Sequence, residues 1–337
     1  MVASAYDILG IGNPFYDRFA FVSDEFLKQH HIIKGDTTVI LDRVDLEKSW
    51  EKAPQKEACY VGKLGGSCAN VIKVLTRLGH RCALSGVIGS DELGTSLLAR
   101  LKEIGIASLI SKGKNGTGLV NCFVTPDRQR TMQTFLGSAS ELAEDKVKKE
   151  HFKNVKHVHL EGYLLCYDDV MEKGIEFAKQ QNATISVDLA SSFVVKKYLK
   201  RFEKCISQVN FVFGNMQEIL ALRPSRTLKE AVESFGIDQT VVATMGPDGC
   251  LVKEKGTKQA VHYTALKVPQ SEVVDTTGAG DYFDGGFLHG MFSGKSIPES
   301  VEMANLTATS VIRQLGAELP EDEWSKLIHK IAKISYS

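Results

Sequence analysis

The stretch Asp275-Thr276-Thr277-Gly278-Ala279-Gly280-Asp281 places two glycines and two carboxylates within seven residues, and the helix-like run 282–288 follows it directly. Glycine permits a tight turn that directs successive backbone N–H groups to one point, and a helix starting there adds the positive end of its dipole. The stretch therefore predicts an anion-binding turn that opens a helix. The alternative is a plain turn in which Asp281 only caps the helix.

Asp281 falls in the first turn of this predicted helix, beside the expected anion. Because like charges repel, a carboxylate there is unsuited to bind phosphate, but it is suited to accept a proton from an attacking hydroxyl. The amides of Gly278, Ala279 and Gly280 would stabilise charge on the transferring group. The stretch therefore indicates phosphoryl transfer to a small molecule.

On the N-terminal side of this stretch, short apolar runs alternate with longer amphipathic runs. The strand-like runs are 8–12, 82–88, 155–160, 184–189, 211–213 and 239–244, and the first two helix-like runs are 68–78 and 93–103. This alternation predicts an α/β fold with a mostly parallel central sheet, helices on both faces and ligands at the carboxyl ends of the strands.

Two segments, at about 15–42 and 116–136, interrupt the alternation with additional strand-like runs. In the second segment the runs are separated by Thr125-Pro126-Asp127, as a small antiparallel sheet requires. We interpret both segments as a β-sheet lid over the active site of a single α/β domain spanning 1–337; an extra edge of the main sheet is the alternative. Arg130 in this lid is suited to close on a phosphate, although a lone arginine is more often a solvated surface charge.

The overall composition is that of a soluble globular protein, with 43% hydrophobic and 24% charged residues. Lys plus Arg and Asp plus Glu both number 41, so no excess charge favours nucleic acid or a membrane surface as a partner. Seven cysteines without a C-x-x-C pair favour free thiols in a reducing compartment. No apolar run approaches the about 20 residues of a membrane helix, and no signal peptide is recognisable, which together predict a cytoplasmic location.

A second glycine-rich stretch, Gly65-Gly66-Ser67-Cys68-Ala69-Asn70, precedes a helix-like run. Paired glycines permit close approach of a ligand to the backbone, and the Asn70 amide offers both a donor and an acceptor to a polyol. Helix capping explains the stretch about equally well.

The first strand ends in Gly10-Ile11-Gly12-Asn13-Pro14, which has the first two glycines of a dinucleotide-binding motif. The third glycine is absent and Pro14 stands where the helix would begin, so a dinucleotide cofactor is disfavoured. Asp17, three residues further, is suited to accept two hydroxyls of a sugar ring. Its alternative is a solvated turn residue.

The run Asn215-Met216-Gln217-Glu218 follows the strand-like run 211–213. Asn215 and Glu218 lie on one face of a starting helix and supply hard oxygens suited to Mg²⁺ through water. A capping box formed by the same two residues is the alternative.

Taken together and in this order, these sites resemble the ribokinase or pfkB family of carbohydrate and nucleoside kinases. Residues 65–70 look like the first signature of that family and residues 275–283 like the second, while Asn215 and Glu218 match its N-x-x-E. The resemblance implies a ribokinase-like fold, use of ATP and Mg²⁺, and leaves open a monovalent cation such as K⁺.

Within the family the chain is most similar to purine nucleoside kinases, which implies adenosine as the acceptor. The implied substrate-binding residues are Asn13, Asp17, Gly65, Gly66, Asn70, Met132, Thr134 and Tyr163. The implied ATP-binding residues are Asn215, Thr244, Gly246, Gly249, Thr276, Gly278, Gly280 and Asn305. Met132 and Thr134 stand where the family usually has small or aliphatic residues, and Tyr163 where it has phenylalanine, so inosine or guanosine stay open as acceptors.

Two other functions are compatible with the sequence. One is a kinase of a free sugar such as ribose or fructose, and the other is a ligand sensor that kept the fold and lost catalysis. The intact Asp281 argues against the sensor. The sequence leaves open whether the protein is a monomer or a homodimer.

Overall fold

Two β-sheets organise the described part of the chain, residues 6–35, 37–54 and 60–334 of the computed structural model. The strands are β1 (Ile8–Ile11), β2 (Phe15–Phe21), β3 (Thr37–Val39), β4 (Tyr60–Gly65), β5 (Cys82–Ile88), β6 (Ala107–Lys112), β7 (Leu119–Val124), β8 (Arg130–Phe135), β9 (His157–Glu161), β10 (Thr184–Asp188), β11 (Phe211–Asn215), β12 (Thr240–Thr244), β13 (Cys250–Lys253) and β14 (Ala260–Tyr263). The helices are α1 (Asp24–Gln29), α2 (Arg43–Glu51), α3 (Ser67–Arg77), α4 (Glu92–Ile104), α5 (Val170–Gln180), α6 (Ser192–Lys197), α7 (Leu199–Ile206), α8 (Met216–Leu222), α9 (Leu228–Glu233), α10 (Ala279–Phe292), α11 (Ile297–Val311) and α12 (Glu321–Ile334). Short 3₁₀ turns lie at Gly137–Glu141, Glu144–Lys146, Lys149–Phe152, Gly162–Cys166, Gly246–Asp248 and Gln270–Glu272.

The larger sheet has the strand order β14-β13-β12-β11-β10-β9-β1-β5-β6. Its strands from β12 to β6 pair in parallel, and β13 and β14 form an antiparallel edge. Because β1 lies between β5 and β9, the strand order reverses there and opens a crevice at the carboxyl ends of these strands. The predicted α/β fold with a mostly parallel sheet is confirmed.

Helices cover both faces of this sheet. Leu9 and Ile11 belong to a buried cluster with α5 to α9, whereas Ile8 belongs to a cluster with α3, α4, α10 and α11, as the alternation of side chains along a strand requires. Full burial of one such side chain contributes about 1.5–3 kcal/mol. None of the helices in the described ranges combines the length and the apolar character needed to cross a bilayer.

The glycines of β1 allow α3 to pack closely against the sheet. A Cβ atom on Gly10 would lie 2.4 Å from Ile72 Cγ1, and one on Gly12 would lie 2.5 Å from Cys68 Cβ. Helix packing therefore explains both glycines without a dinucleotide. The cysteines among the described residues are free thiols, and Cys59 lies outside the described residues.

The smaller sheet has the strand order β3-β8-β7-β2-β4. Its β7–β8 pair is the predicted antiparallel hairpin, closed by a hydrogen bond from Thr125 N to Gln129 O of 3.0 Å. The pairing between the two segments is parallel, since β2 pairs in parallel with β7 and β3 in parallel with β8. Asp36, within the first predicted lid segment, lies outside the described residues.

Strand β4 falls outside both predicted lid segments, yet it forms one edge of the smaller sheet by antiparallel pairing with β2. Its glycines, Gly62 and Gly65, weaken the strand pattern in the sequence. Helices α1 and α2 cover the rear face of the sheet through Phe26, Leu27 and Trp50, which pack with Ala20 and Phe123.

Candidate active site

The glycine-rich turn opens α10 as predicted. Gly278 is the N-cap residue and has a left-handed backbone with a φ of 76°. A Cβ atom there would lie 2.5 Å from Ala317 Cβ, whereas a Cβ on Gly280 would meet no atom within 4 Å. The Ala279 amide donates to the Thr276 carbonyl at 3.2 Å and is thus engaged within the turn. Space for an anion therefore lies over Gly280, at the positive end of α10.

Asp275, the first residue of the motif, is buried and holds the turn together. Its Oδ1 accepts from the Thr277 amide at 2.9 Å and from the Thr277 hydroxyl at 2.8 Å, and its Oδ2 accepts from the Gly316 amide at 2.9 Å. Thr276, between them, is exposed. Asp275 therefore links the turn to the segment after α11, and Thr276 is left accessible to a ligand.

Asp281 lies in the first turn of α10, where Asn70 Nδ2 donates to its Oδ2 at 2.8 Å. Burial is the largest influence on this carboxyl and raises its pKa, while the hydrogen bond from Asn70 and the charges of Arg130 and Lys73 lower it. A raised pKa makes a carboxylate a stronger base. The two predicted glycine-rich regions thus meet at the predicted base.

Asp17 is buried at the end of the smaller sheet that faces this region. A Cβ atom on Gly65 would lie 2.0 Å from Asp17 Oδ2, so the carboxyl occupies the space that a side chain at Gly65 would need. Burial is the main cause that raises the pKa of Asp17 to about 7, with Asp281 and Asp275 also raising it and Lys73 and Arg130 lowering it. Asp17 is therefore a partly protonated carboxyl near neutral pH.

Strand register aligns the residues predicted to bind substrate on one face of the smaller sheet. Asp17 lies beside Val120 on β7, and Val120 lies opposite Thr134 on β8. Met132 and Arg130 precede Thr134 at intervals of two residues, so they share its face. The charge of Arg130 lowers the pKa of both Asp17 and Asp281. Asp17 and three residues of β8 therefore line a common surface.

Two other predicted substrate residues lie near β9. Tyr163 follows this strand, is 41% exposed and donates to the Ala190 carbonyl at 3.4 Å. Asn13 is buried, with Nδ2 donating to Ala139 O at 3.0 Å and Oδ1 accepting from the Val87 amide at 2.9 Å. The Asn13 side chain is thus bonded within the protein, and its role toward substrate stays a prediction. Tyr163, in contrast, is accessible to a ligand.

The residues predicted to bind ATP follow neighbouring strands. Asn215 at the end of β11 pairs with Thr244 at the end of β12. Gly246 and Gly249, in the next turn, have φ values of 60° and 94°. Asn305 on α11 donates to the Thr264 carbonyl at 3.2 Å. These backbone turns at the carboxyl edge are suited to a flat ligand, and their roles stay predictions.

Asn215 and Glu218 form a capping box at the start of α8. Asn215 Oδ1 accepts from the Gln217 and Glu218 amides at 2.9 and 3.1 Å, and both Glu218 oxygens accept from Asn215 nitrogens at 2.7 Å. Burial raises the pKa of Glu218. The capping alternative is therefore realised in the structure, and a role toward Mg²⁺ stays a prediction.

A row of buried acids along the carboxyl edge was not found from the sequence. Glu161 and Asp188 are register partners at the ends of β9 and β10. Burial raises the pKa of Glu161 to about 7, although its oxygens accept from the Cys68 amide at 2.9 Å and the Asn13 amide at 3.3 Å. Glu161 directly follows the predicted strand-like run 155–160 and Asp188 is the next-to-last residue of the run 184–189, and these positions were the available signal.

Asp188 has a second acidic partner, Asp284, three residues after Asp281 on α10. Burial raises the pKa of both carboxyls, and the charge of Asp188 raises the pKa of Asp284 further. The charges of Glu218 and Asp281 disfavour ionisation of this pair further. The spacing of Asp281 and Asp284 along one helix face was the signal in the sequence.

An α/β fold with a glycine-rich helix start, the Asp281 carboxyl in its first turn and a second sheet beside it is the arrangement predicted for a small-molecule kinase. The profile of the pfkB family carbohydrate kinases matches residues 30–324, and the chain belongs to this family. It is thus a phosphotransferase that uses an alcohol group as acceptor.

Similar proteins include kinases of both nucleosides and sugars. Adenosine kinase 2 of Arabidopsis thaliana is 27% identical over 95% of this chain and 98% of its own length. An uncharacterized sugar kinase of Archaeoglobus fulgidus is 29% identical over 72% of this chain and 96% of its own length. The crystal structure of adenosine kinase from Sinorhizobium meliloti superposes with a TM-score of 0.86 at 30% identity, covering 97% of this chain and 99% of that one.

Proposed function

We propose that the protein transfers the γ-phosphoryl group of ATP to the primary 5′ hydroxyl of a purine nucleoside, with adenosine converted to AMP. The main observation behind this proposal is that three features lie together: Asp281, the open start of α10 at Gly280, and the face of the smaller sheet that carries Asp17. The similarity to adenosine kinases over nearly the whole chain supports the nucleoside as acceptor. A place in purine salvage within the cytoplasm follows from this activity.

In this mechanism Asp281 accepts the proton of the attacking hydroxyl as the bond to phosphorus forms. The helix start at Gly278, Ala279 and Gly280 stabilises the charge on the transferring group, and Arg130 adds a positive charge when the smaller sheet closes. Phosphoryl-transfer transition states are loose. Alignment of the hydroxyl with the phosphoryl group and electrostatic stabilisation by the site therefore supply most of the acceleration, and the base contributes about 10²- to 10⁴-fold.

Asp17 and Asn70 hold the ribose hydroxyls in this proposal. Asn70 Nδ2 uses one hydrogen on Asp281, which leaves its second hydrogen for a hydroxyl. The Asp17 carboxyl, with its pKa near 7, has the capacity to accept from or donate to a sugar hydroxyl near neutral pH. Gly65 and Gly66 permit the ribose to approach the backbone there.

The residues present fit a magnesium ion held through water. Glu218 is buried and its oxygens are hydrogen-bonded to Asn215, which suits contact with the water shell of an ion. Within residues 6–35, 37–54 and 60–334, no three His, Cys, Asp or Glu side chains form a direct metal site. When bound, Mg²⁺ supplies charge neutralisation on the ATP phosphates. A monovalent cation such as K⁺ remains a second, separate prediction.

The smaller sheet acts as the lid in this proposal. Water in an open site would compete with the nucleoside as phosphoryl acceptor, so closure has a chemical reason. Met132 and Thr134 on the lid face and the accessible Tyr163 would contact the purine. Their polar groups distinguish bases by hydrogen bonding.

A free-sugar kinase is the second candidate, favoured by the Archaeoglobus relative. The test measures Mg²⁺-dependent ADP release from ATP with adenosine, inosine, guanosine, ribose and fructose in parallel. Turnover with adenosine well above the other four supports the proposal. Turnover only with a sugar assigns the second candidate, and silence with all five contradicts both. Size-exclusion chromatography with light scattering decides between a monomer and a homodimer.

A further inference from the structure

We infer that Lys73 is a positioning residue, which orients Asn70 toward Asp281 and supplies the fixed positive charge that keeps Asp281 ready to accept a proton. The inference rests on the proposed phosphoryl transfer. Lys73 lies on α3, one turn after Asn70, and only 1% of it is exposed. A buried lysine is costly unless its charge is compensated, so its contacts require an explanation.

The ammonium group of Lys73 is fully hydrogen-bonded by three separate segments. Its Nζ donates to Leu64 O at 2.9 Å, to Asn70 Oδ1 at 3.1 Å and to Ala317 O at 2.6 Å. These acceptors belong to the end of β4, to α3 and to the segment after α11. Three donors meet three acceptors, so the position of the charge is fixed.

This bonding decides which way the Asn70 amide faces. Because an ammonium group has no acceptor, the Asn70 oxygen must face Lys73, and the Asn70 nitrogen must then face the Asp281 carboxylate. The observed donation from Nδ2 to Asp281 Oδ2 at 2.8 Å is the result. Without Lys73 the Asn70 oxygen loses its hydrogen-bond donor, and only the Asp281 carboxylate is left to orient the amide.

The same lysine also supports the turn that opens α10. Its acceptor Ala317 O receives a second hydrogen bond, from Tyr282 Oη at 3.2 Å. The Ala317 side chain fills the space beside Gly278, where a Cβ atom would come within 2.5 Å of Ala317 Cβ. Lys73 therefore contacts Asn70, which bonds the predicted base Asp281, and Ala317, which packs against the predicted anion site at Gly278.

The charges around Asp281 make a fixed cation necessary. Glu161, Asp188, Glu218 and Asp284 all interact with Asp281 as further acids. Burial lowers the pKa of Lys73 to about 8, whereas Glu318 and Asp17 favour its charged form and Arg100, which pairs with Glu318, opposes it. Lys73 therefore stays mostly charged near neutral pH. The other cation that lowers the pKa of Asp281 is Arg130. Arg130 lies on the proposed lid, whereas Lys73 belongs to α3 and is held there by Asn70 Oδ1 and Ala317 O, which lie outside the smaller sheet.

The chain offers a matched control in Lys253, which is also 1% exposed. Its Nζ donates to Gly236 O at 2.8 Å and to Gln239 O at 3.0 Å. Lys253 pairs with Val241 near the start of β12. It therefore lies at the amino end of that strand, whereas the predicted ATP residues lie at the carboxyl end. Replacing it removes a buried charge without touching Asn70 or Asp281.

The experiment compares Lys73→Met and Lys73→Gln with Lys253→Met and Lys253→Gln, each checked for folding by circular dichroism. Lys73→Gln retains hydrogen-bond donors without the charge, so it carries the test if Lys73→Met does not fold. The readouts are the pH dependence of kcat, the KM for ATP, and the titration of the Asp281 carboxyl by ¹³C NMR, assigned with Asp281→Asn.

We expect the acidic limb of the kcat profile and the Asp281 titration to move up by about one pH unit in the Lys73 variants, since loss of a nearby positive charge favours the protonated form. The KM for ATP should stay at its wild-type value. A folded Lys73→Gln with an unchanged Asp281 titration, or an equal shift in a Lys253 variant, overturns the inference. If the wild-type protein phosphorylates none of the acceptors, the proposed function fails, while the NMR titration still decides the role of Lys73.

Discussion

The two glycines of the α10 turn should respond differently to the same substitution. Gly278→Ala places a Cβ on a residue with a φ of 76° and 2.5 Å from Ala317 Cβ. The left-handed backbone costs an alanine about 1 kcal/mol, and relief of the overlap costs about 1–3 kcal/mol more. We therefore expect Gly278→Ala to lower the free energy of unfolding by roughly 2–4 kcal/mol.

Gly280→Ala is the matched partner, because a Cβ there meets no protein atom within 4 Å. Alanine is a better helix former than glycine by about 0.5–1 kcal/mol, so this variant should be at least as stable as the wild-type protein. Its methyl group would instead occupy the space proposed for the phosphoryl group. A displacement of about 1 Å there should lower kcat/KM for ATP by about 10²-fold.

Urea unfolding followed by circular dichroism measures the first effect, and steady-state ADP release measures the second. Gly278→Ala with a wild-type unfolding midpoint would refute the steric reasoning. Gly280→Ala with full kcat/KM would show that no phosphoryl group passes over this residue, and the proposed anion site would have to be abandoned.

Three other predictions concern the base, buried histidine and the lid. Asp281→Asn should reduce kcat by about 10²- to 10⁴-fold and leave ATP affinity by calorimetry intact; near wild-type kcat would remove Asp281 as the base. Burial lowers the pKa of His159 to about 3, whereas the same side chain in the unfolded state has a pKa of about 6.5. On acidification the unfolded state therefore binds a proton before the folded state does. The free energy of unfolding should thus decline as the pH falls from about 6.5 to about 3. Urea unfolding at stepped pH should show this slope, and His159→Gln should reduce it. Adenosine should slow hydrogen exchange in 15–42 and 116–136, and unchanged exchange there would count against lid closure.

Much of the main sheet follows from local sequence pattern. The strand-like run 82–88 is β5 with the predicted bounds, and 68–78 agrees with α3 to within a residue at each end. Both are apolar or amphipathic runs bounded by turn residues, where local preference and burial agree.

The smaller sheet was predictable only in part, because strand pairing depends on partners far along the chain. The local hairpin around Thr125-Pro126-Asp127 was found, whereas the parallel pairing of β2 with β7 joins residues about a hundred positions apart, for which no local signal exists. Strand β4 was missed since Gly62 and Gly65 break its pattern, and the burial of Asp17 against Gly65 is the reason for one of these glycines.

In the candidate site, the residues that belong to sequence motifs were easier to predict than the residues that hold them in position. Asp281, Gly278 and Asn70 stand in glycine-rich turns that are visible in sequence. Lys73 lies in an amphipathic helix, where a lysine ordinarily indicates the solvated side. Its burial depends on carbonyl groups from β4 and from the segment after α11, which only the tertiary structure brings together.

The junction between β4 and α3 connects the motion of one sheet to the geometry of the other. Strand β4 ends at Gly65 and α3 begins at Ser67, so Gly66, with a φ of 103°, is the single residue between them. A tilt of the smaller sheet about this residue pulls on the first turn of α3, which carries Asn70. If the smaller sheet closes over substrate as proposed, its movement and the orientation of the Asn70 amide are coupled through Gly66, and a less flexible residue at position 66 should affect turnover more than binding.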